Sequence, residues 1–228
     1  MKAIKYVLAG ALLLGSVAPT MAQQNEKAII DHVSQVIKNK GADFEKQVNQ
    51  LYKENKKDAQ ALLAIAKAFY NAKDLDHAIQ FVDHALARDR KLAKAYILKG
   101  DIAVSKDDAG TAAENYEQAK YFDPQDPEGY YKYAMILRGR SPEDAVRNLE
   151  ELRKQRPDYP VDALAGRIYY FAQNYQKAVE YFDKIQDISK MEDEDLTKYA
   201  MSDWLLGMRD KSIEIAKSGL QRDPRRAG

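Results

Sequence analysis

Small residues recur along this chain at nearly constant intervals of about 34 residues. One series, with steps of 34, 34, 32 and 34 residues, comprises Ala66, Gly100, Ala134, Gly166 and Ala200. A second series lies eleven or twelve residues further on and comprises Ala78, Ala112, Ala145, Ala178 and Ser212. A third follows the second by four residues and comprises Val82, Tyr116, Leu149, Phe182 and Ala216. A repeat of this length is typical of solenoids built from pairs of helices, so the sequence predicts an all-α, elongated stack.

The small residues also predict how the two helices of each pair pack. Helices approach each other closely only where the side chains between them are short, so Ala or Gly is expected at each crossing point. Bulky aromatic side chains then fill the neighbouring space, and those that fit the pattern are Phe69, Tyr116, Tyr133, Tyr169, Phe182 and Tyr199.

Five repeat units follow one another from residue 59. Their predicted bounds are 59–92, 93–126, 127–158, 159–192 and 193–226, with 227–228 as a short tail. Each unit contains two amphipathic stretches of about a dozen residues, separated by turn-forming residues. Residues 23–58 predict a further helical hairpin that lacks the small-residue series. We interpret this hairpin as an amino-terminal cap or a degenerate repeat, because terminal units of such stacks are atypical.

The first 22 residues have the composition of a secretory signal peptide. Lys2 and Lys5 precede an uncharged, mostly apolar run over residues 6–18, and small residues at Thr20 and Ala22 precede a cleavage site before Gln23. An uncleaved amino-terminal anchor is the alternative, but the apolar run is short for a membrane span. The sequence therefore predicts an exported protein, in the periplasm or secreted, with no stable membrane span after cleavage.

Composition excludes several classes of partner and site. The formal net charge of the 228 residues is +1, and two of the 36 basic residues lie in the predicted signal peptide, leaving 34 against 35 acidic ones. A chain without basic excess is not expected to bind nucleic acid. Because the chain has no cysteine, it forms no disulfide and no thiolate metal site.

No set of side chains predicts catalysis. His77 and His84 are about two turns apart on one predicted helix, too far to share a metal, and we interpret them as part of a solvated helix face. The acidic run at residues 192–195 is expected to begin a helix, where the helix dipole favours negative charge. The chain contains no nucleophile turn and no phosphate-binding loop, and no spacing singles out a carboxylate pair. We therefore expect no catalytic residues, no metal and no cofactor.

The repeat units resemble the tetratricopeptide repeat (TPR) family over residues 59–226. The third unit carries the family pattern with Tyr130, Tyr133, Ala134, Leu137, Ala145, Leu149, Leu152 and Pro157. The second carries it with Tyr96, Gly100, Ala112, Tyr116, Ala119 and Pro124. Departures from the pattern are Lys99, Ala103, Asp162 and Asp203.

This resemblance implies a right-handed superhelix of about five helix pairs whose concave groove is lined by the first helix of each pair. The groove residues that it implies are Lys67, Tyr70, Tyr131, Met135, Arg138, Arg167, Tyr170, Met201 and Trp204. Their aromatic, apolar and basic character suits an extended peptide with apolar anchors and an acidic group. The alternative is that many of these side chains only pack against the neighbouring first helix.

Two functions follow as hypotheses. The first is an exported scaffold that binds a protein or peptide partner in its groove. The second is a structural component of the cell envelope that associates end to end or with itself through its last repeat. Arg225–Gly228 resemble the opening of a sixth unit with no capping helix after it, so Ile213, Ile215 and Leu220 are expected to be exposed.

Overall fold

The computed structural model describes the backbone of residues 21–222 and the side chains of residues 24–219. The predicted signal peptide, apart from its last two residues, and the predicted opening of a sixth unit at Arg225–Gly228 lie outside the described residues. The side chain of Leu220 lies outside them as well.

The described part of the chain is all-helical, as the sequence predicts, with twelve α-helices, one short 3-10 helix and no strand. The helices are α1 (Met21–Lys38), α2 (Phe44–Asn55), α3 (Ala59–Asn71), α4 (Leu75–Arg88), α5 (Ala93–Ser105), α6 (Ala109–Phe122), α7 (Pro127–Leu137), α8 (Pro142–Gln155), α9 (Val161–Phe171), α10 (Tyr175–Phe182), α11 (Asp193–Leu205) and α12 (Arg209–Arg222). The 3-10 helix, Ile188–Lys190, precedes α11. From α3 onward the helices form five pairs, and the second helix of each pair packs against the first helix of the next. This arrangement is a helical solenoid.

The turn inside most pairs requires one residue in the left-handed conformation. Lys73, Asp107 and Gln173 have φ values of 64°, 58° and 59°, and Gly207 at the corresponding position has φ 81°. The α7–α8 turn has no positive-φ residue; instead, the backbone N–H groups of Arg140 and Ser141 both donate to the Leu137 carbonyl, at 2.9 and 2.8 Å.

The small-residue series marks close helix crossings. A β-carbon at Gly100 would lie 2.4 Å from Cε1 of Tyr116, and one at Gly166 would lie 2.6 Å from Cε1 of Phe182. The ring on the second helix of each of these pairs therefore rests directly on the glycine of the first helix. Alanines of the same series, Ala66 and Ala134, are fully buried.

The apolar core is divided along the stack. One buried cluster extends from Val33 to Ile102, and another extends from Ala134 to Ile215. Between them lies a small cluster of Ala103, Ala112 and Tyr116, with partly buried Tyr133 and Ile136 against it. The core is therefore linear, as expected for a solenoid in which each unit contacts only its neighbours.

The amino-terminal helices differ from the later pairs, because α1 packs mainly along α3 rather than against α2. Val33 of α1 is fully buried in this contact, and Lys67 Nζ donates to Glu26 Oε1 at 2.6 Å. None of the helices in the described part is both long and apolar enough to cross a membrane.

The prediction of a solvated histidine face is wrong, because α2 covers that face of α4. The His77 ring stacks on Phe69 with 5.0 Å between ring centroids and meets the edge of Phe44 at 5.6 Å. His84 stacks on Tyr52 of α2 at 4.2 Å. Both imidazoles therefore serve as packing surfaces between helices.

Candidate partner-binding groove

The predicted groove residues lie on α3, α7, α9 and α11, which are first helices, or directly after one of them in the case of Arg138. Contacts between successive first helices bring several of them onto one surface. The Tyr170 hydroxyl lies 3.5 Å from Met201 Sδ, and Tyr70 accepts a hydrogen bond from Ser105 Oγ of α5 at 3.4 Å. These contacts join the first helices of the first and second repeats and those of the fourth and fifth repeats.

Exposure increases towards the carboxyl-terminal repeats. The exposed fraction is 38% for Tyr131, 46% for Met201 and 52% for Trp204. Tyr70, Met135 and Tyr170 are half-buried, so these side chains both pack against neighbours and present surface to solvent. The guanidinium carbon of Arg209 lies 5.4 Å from the Trp204 ring centroid, a distance suited to a cation–π contact.

Two of the three predicted groove cations are neutralised within the fold. Lys67 pairs with Glu26 of α1, and Arg167 Nε lies 2.8 Å from Asp195 Oδ1 of α11. Asp195 is only 2% exposed, and burial raises the pKa of its carboxyl, while the charges of Arg167 and Lys198 oppose that rise. Arg167 therefore compensates a buried carboxylate, which is a structural role that the sequence did not indicate.

Sequence reasoning missed Phe171, the last residue of α9. Its side chain is 59% exposed and its ring contacts the Tyr170 ring at 5.7 Å between centroids. Lys198 Nζ lies 5.1 Å from the Phe171 ring centroid. Two adjacent aromatic residues cannot both face the core from one helix, and this pattern in the sequence could have indicated an exposed ring.

Exposed apolar side chains are concentrated near the carboxyl-terminal end of the described chain. Six large ones lie between residues 171 and 213: Phe171, Met201, Trp204, Leu205, Met208 and Ile213. Clustering of this kind, unlike scattered single residues, is typical of interaction surfaces.

An apolar pocket of about 350 Å³ lies on α11 and α12 and includes Leu196, Ala200, Ile215 and Ala216 in its lining. Ala216 is exposed, whereas the residues at its position in the earlier repeats are buried: Val82, Tyr116, Leu149 and Phe182. The prediction that Ile215 is exposed is wrong, because it is 96% buried in the carboxyl-terminal core cluster; Ile213 is exposed as predicted.

Comparison with known proteins agrees with this architecture. Sequence models of the tetratricopeptide repeat match residues 93–126 and residues 137–190. The chain therefore contains tetratricopeptide repeats over these residues. TPR proteins bind protein or peptide partners and are generally non-enzymatic, so this TPR protein is an interaction scaffold in the general sense. No curated protein matches the sequence significantly.

Several solved TPR structures are similar to this TPR protein. PilW, described as a widely conserved type IV pilus biogenesis factor, has a TM-score of 0.64 at 16% identity, covering 92% of this chain and 96% of its own. Pseudomonas aeruginosa pilF has 0.59 at 15% identity, covering 89% and 94%. YrrB, described as a TPR protein with an unusual peptide-binding site, has 0.56 at 20% identity, covering 78% and 93%. At these identities the similarity establishes the fold.

Proposed function

We propose that this TPR protein is an exported, non-catalytic scaffold that binds an extended segment of a partner protein in the groove formed by its first helices. Export rests on residues 1–22, whose composition predicts a signal peptide. The observation that carries the binding proposal is the half-exposed Trp204 beside exposed Met201, on the same surface as Tyr170. A similar fold in YrrB is described as having a peptide-binding site, which supports the same use of the fold here.

The energetics favour the carboxyl-terminal half of the groove. Burial of one Trp or Tyr side chain of roughly 150–250 Å² provides about 4–6 kcal/mol of gross driving force. Association costs offset much of this, so a pair of anchors is consistent with binding in the micromolar range. Trp204 is 52% exposed and Tyr170 is half-buried, so each anchor would contribute only part of this driving force. Lys67 at the opposite end is already bonded to Glu26.

Trp204→Ala is expected to weaken binding of the partner at least tenfold, about 1.4 kcal/mol, because hot-spot residues of this kind supply much of an interface's energy. The partner is obtained by capture from an envelope extract and mass spectrometry, with a Tyr70, Tyr170 and Trp204 triple alanine variant as the negative control. Since Trp204 is the only tryptophan, its fluorescence reports directly on burial of the groove.

Tyr121→Ala is the matched control, because Tyr121 is 77% exposed but lies on α6, a second helix outside the groove. We expect this variant to bind normally. Two results together would contradict the assignment of the groove: Trp204 emission that does not change when the partner binds, and equal affinity of the partner for Trp204→Ala and for the wild-type protein.

A second candidate function is a structural component that self-associates through the end of the stack. The observation that favours it is the apolar pocket on α11 and α12, together with exposed Ile213. A second copy of this face would remove the apolar surface from water, which is the usual driving force for such contacts.

Ala216→Glu is expected to abolish this self-association, because it places a charge in the pocket lining. Light scattering over a range of concentrations measures the effect, with Gln80→Glu on the exposed side of α4 as the control for added charge. A wild-type protein that stayed monomeric at the highest concentration would eliminate this second function.

A further inference from the structure

Arg138 differs from the other predicted groove cations because no carboxylate neutralises it. It is exposed, and its Nη1 donates to Met135 Sδ at 3.3 Å. It forms no ion pair with any residue in the described part of the chain. Because a thioether is a weak acceptor, the guanidinium keeps most of its hydrogen-bonding capacity for another molecule.

A pocket of about 400 Å³ lies beside Arg138. Its lining consists of Arg138, Gly139, Pro142, Phe171 and Ala172. Phe171 and Pro142 provide apolar walls. Apart from Gly139 and its two chain neighbours, no residue has a heavy atom within 4 Å of the place that a β-carbon at Gly139 would occupy. The volume is at the lower end of the range for ligand-binding pockets and is sufficient for one large side chain.

The α7–α8 turn fixes the backbone that carries Arg138. This turn differs from the other four because none of its residues has positive φ, and two backbone N–H groups close it on the Leu137 carbonyl. Arg138 itself has helical backbone angles, φ −50° and ψ −33°, with its N–H bonded to the Ala134 carbonyl. A cation on a hydrogen-bonded backbone loses less conformational freedom on binding than one on an open loop.

We propose that this pocket, the Arg138 pocket, binds a peptide segment in which an Asp or Glu side chain lies one or two residues from a large apolar side chain. The carboxylate accepts two parallel hydrogen bonds from the guanidinium, a geometry that arginine favours. The apolar side chain packs on Phe171 and Pro142. The inference rests on the proposed function, because the pocket adjoins the groove through the Arg138–Met135 and Phe171–Tyr170 contacts.

The experiment uses an array of short peptides, acetylated and amidated at their ends so that every carboxylate is a side chain. Each Asp or Glu peptide with a Phe or Leu at a varied spacing is matched by its Asn or Gln counterpart. For the best binders, fluorescence anisotropy is expected to give at least tenfold tighter binding of the acidic peptide. Arg138→Met is expected to remove that preference, and Phe171→Ala to remove the preference for Phe or Leu.

The controls separate this inference from the proposed function. Unchanged circular dichroism and thermal unfolding of Arg138→Met establish that it folds. Peptides that bind and depend on Trp204 but show no preference for acid, or retain that preference in Arg138→Met, would overturn the inference and leave the groove intact. Failure of every peptide to bind the wild-type protein would overturn the inference, whereas the proposed function is tested separately with the captured partner.

Discussion

Replacing Phe182 with alanine is expected to lower the free energy of unfolding of the carboxyl-terminal pairs by about 3–5 kcal/mol. The ring is fully buried, rests on Gly166 and lies 5.3 Å from the Tyr199 ring centroid, so it joins α9, α10 and α11. Truncation leaves a cavity at the point where three helices meet. Urea unfolding followed by circular dichroism and by Trp204 fluorescence measures the loss.

The partner glycine provides the complementary test. Gly166→Ala is expected to cost about 1–3 kcal/mol through overpacking, although alanine favours helix more than glycine does. The same change in a Phe182→Leu background is expected to cost less, because the smaller side chain makes room. Gly110→Ala on α6 is the control, since its nearest contact would be 3.6 Å away. If Gly166→Ala were as well tolerated as Gly110→Ala, the close crossing would be refuted.

Arg167→Met is expected to destabilise the protein by about 2 kcal/mol near neutral pH, because it leaves Asp195 charged and buried without its partner. The effect is smaller than for a fully buried pair, since the Arg167 side chain is 31% exposed. Arg138→Met is the matched control and is expected to leave stability unchanged. Urea unfolding of both variants at several pH values measures the difference.

The loss in Arg167→Met is expected to depend on pH. Burial already raises the pKa of Asp195, and removal of Arg167, which opposes that rise, raises it further. The folded variant then retains a proton that the unfolded chain releases, so its stability falls as pH rises through the raised pKa. The variant should therefore approach wild-type stability at acid pH. An equal loss at all pH values would show that the charge of Asp195 is not the cause.

The helices and their pairing could be predicted from the sequence because the small-residue period, the amphipathic stretches and the turn-forming residues all indicate the same repeat. The alternation of small residues with rings, as at Gly166 and Phe182, specifies where helices cross. The acidic run at residues 192–195 was expected to begin a helix, and α11 begins at Asp193 within it. Such features depend on residues close in sequence and on a fixed period.

The surroundings of individual side chains could not be predicted, because they depend on contacts between distant residues. Glu26 meets Lys67 across 41 positions, and Asp195 is buried although its neighbours in the acidic run are exposed. His77 and His84 lie about two turns apart on α4, which suggested a face exposed to solvent, but α2 packs over that face. For the groove, the resemblance indicated positions but not which cations remain unpaired, and it gave no indication of Phe171.

The divided core has a consequence for how the protein loses its structure. Because only a small apolar cluster of Ala103, Ala112 and Tyr116 lies between the two large buried clusters, each half is expected to retain most of its own apolar packing when the other is disrupted. The amino-terminal and carboxyl-terminal halves are therefore expected to unfold in separate steps. The surface around Trp204 would then disappear with the last four helices, while the region held by α1 and α3 could stay folded on its own.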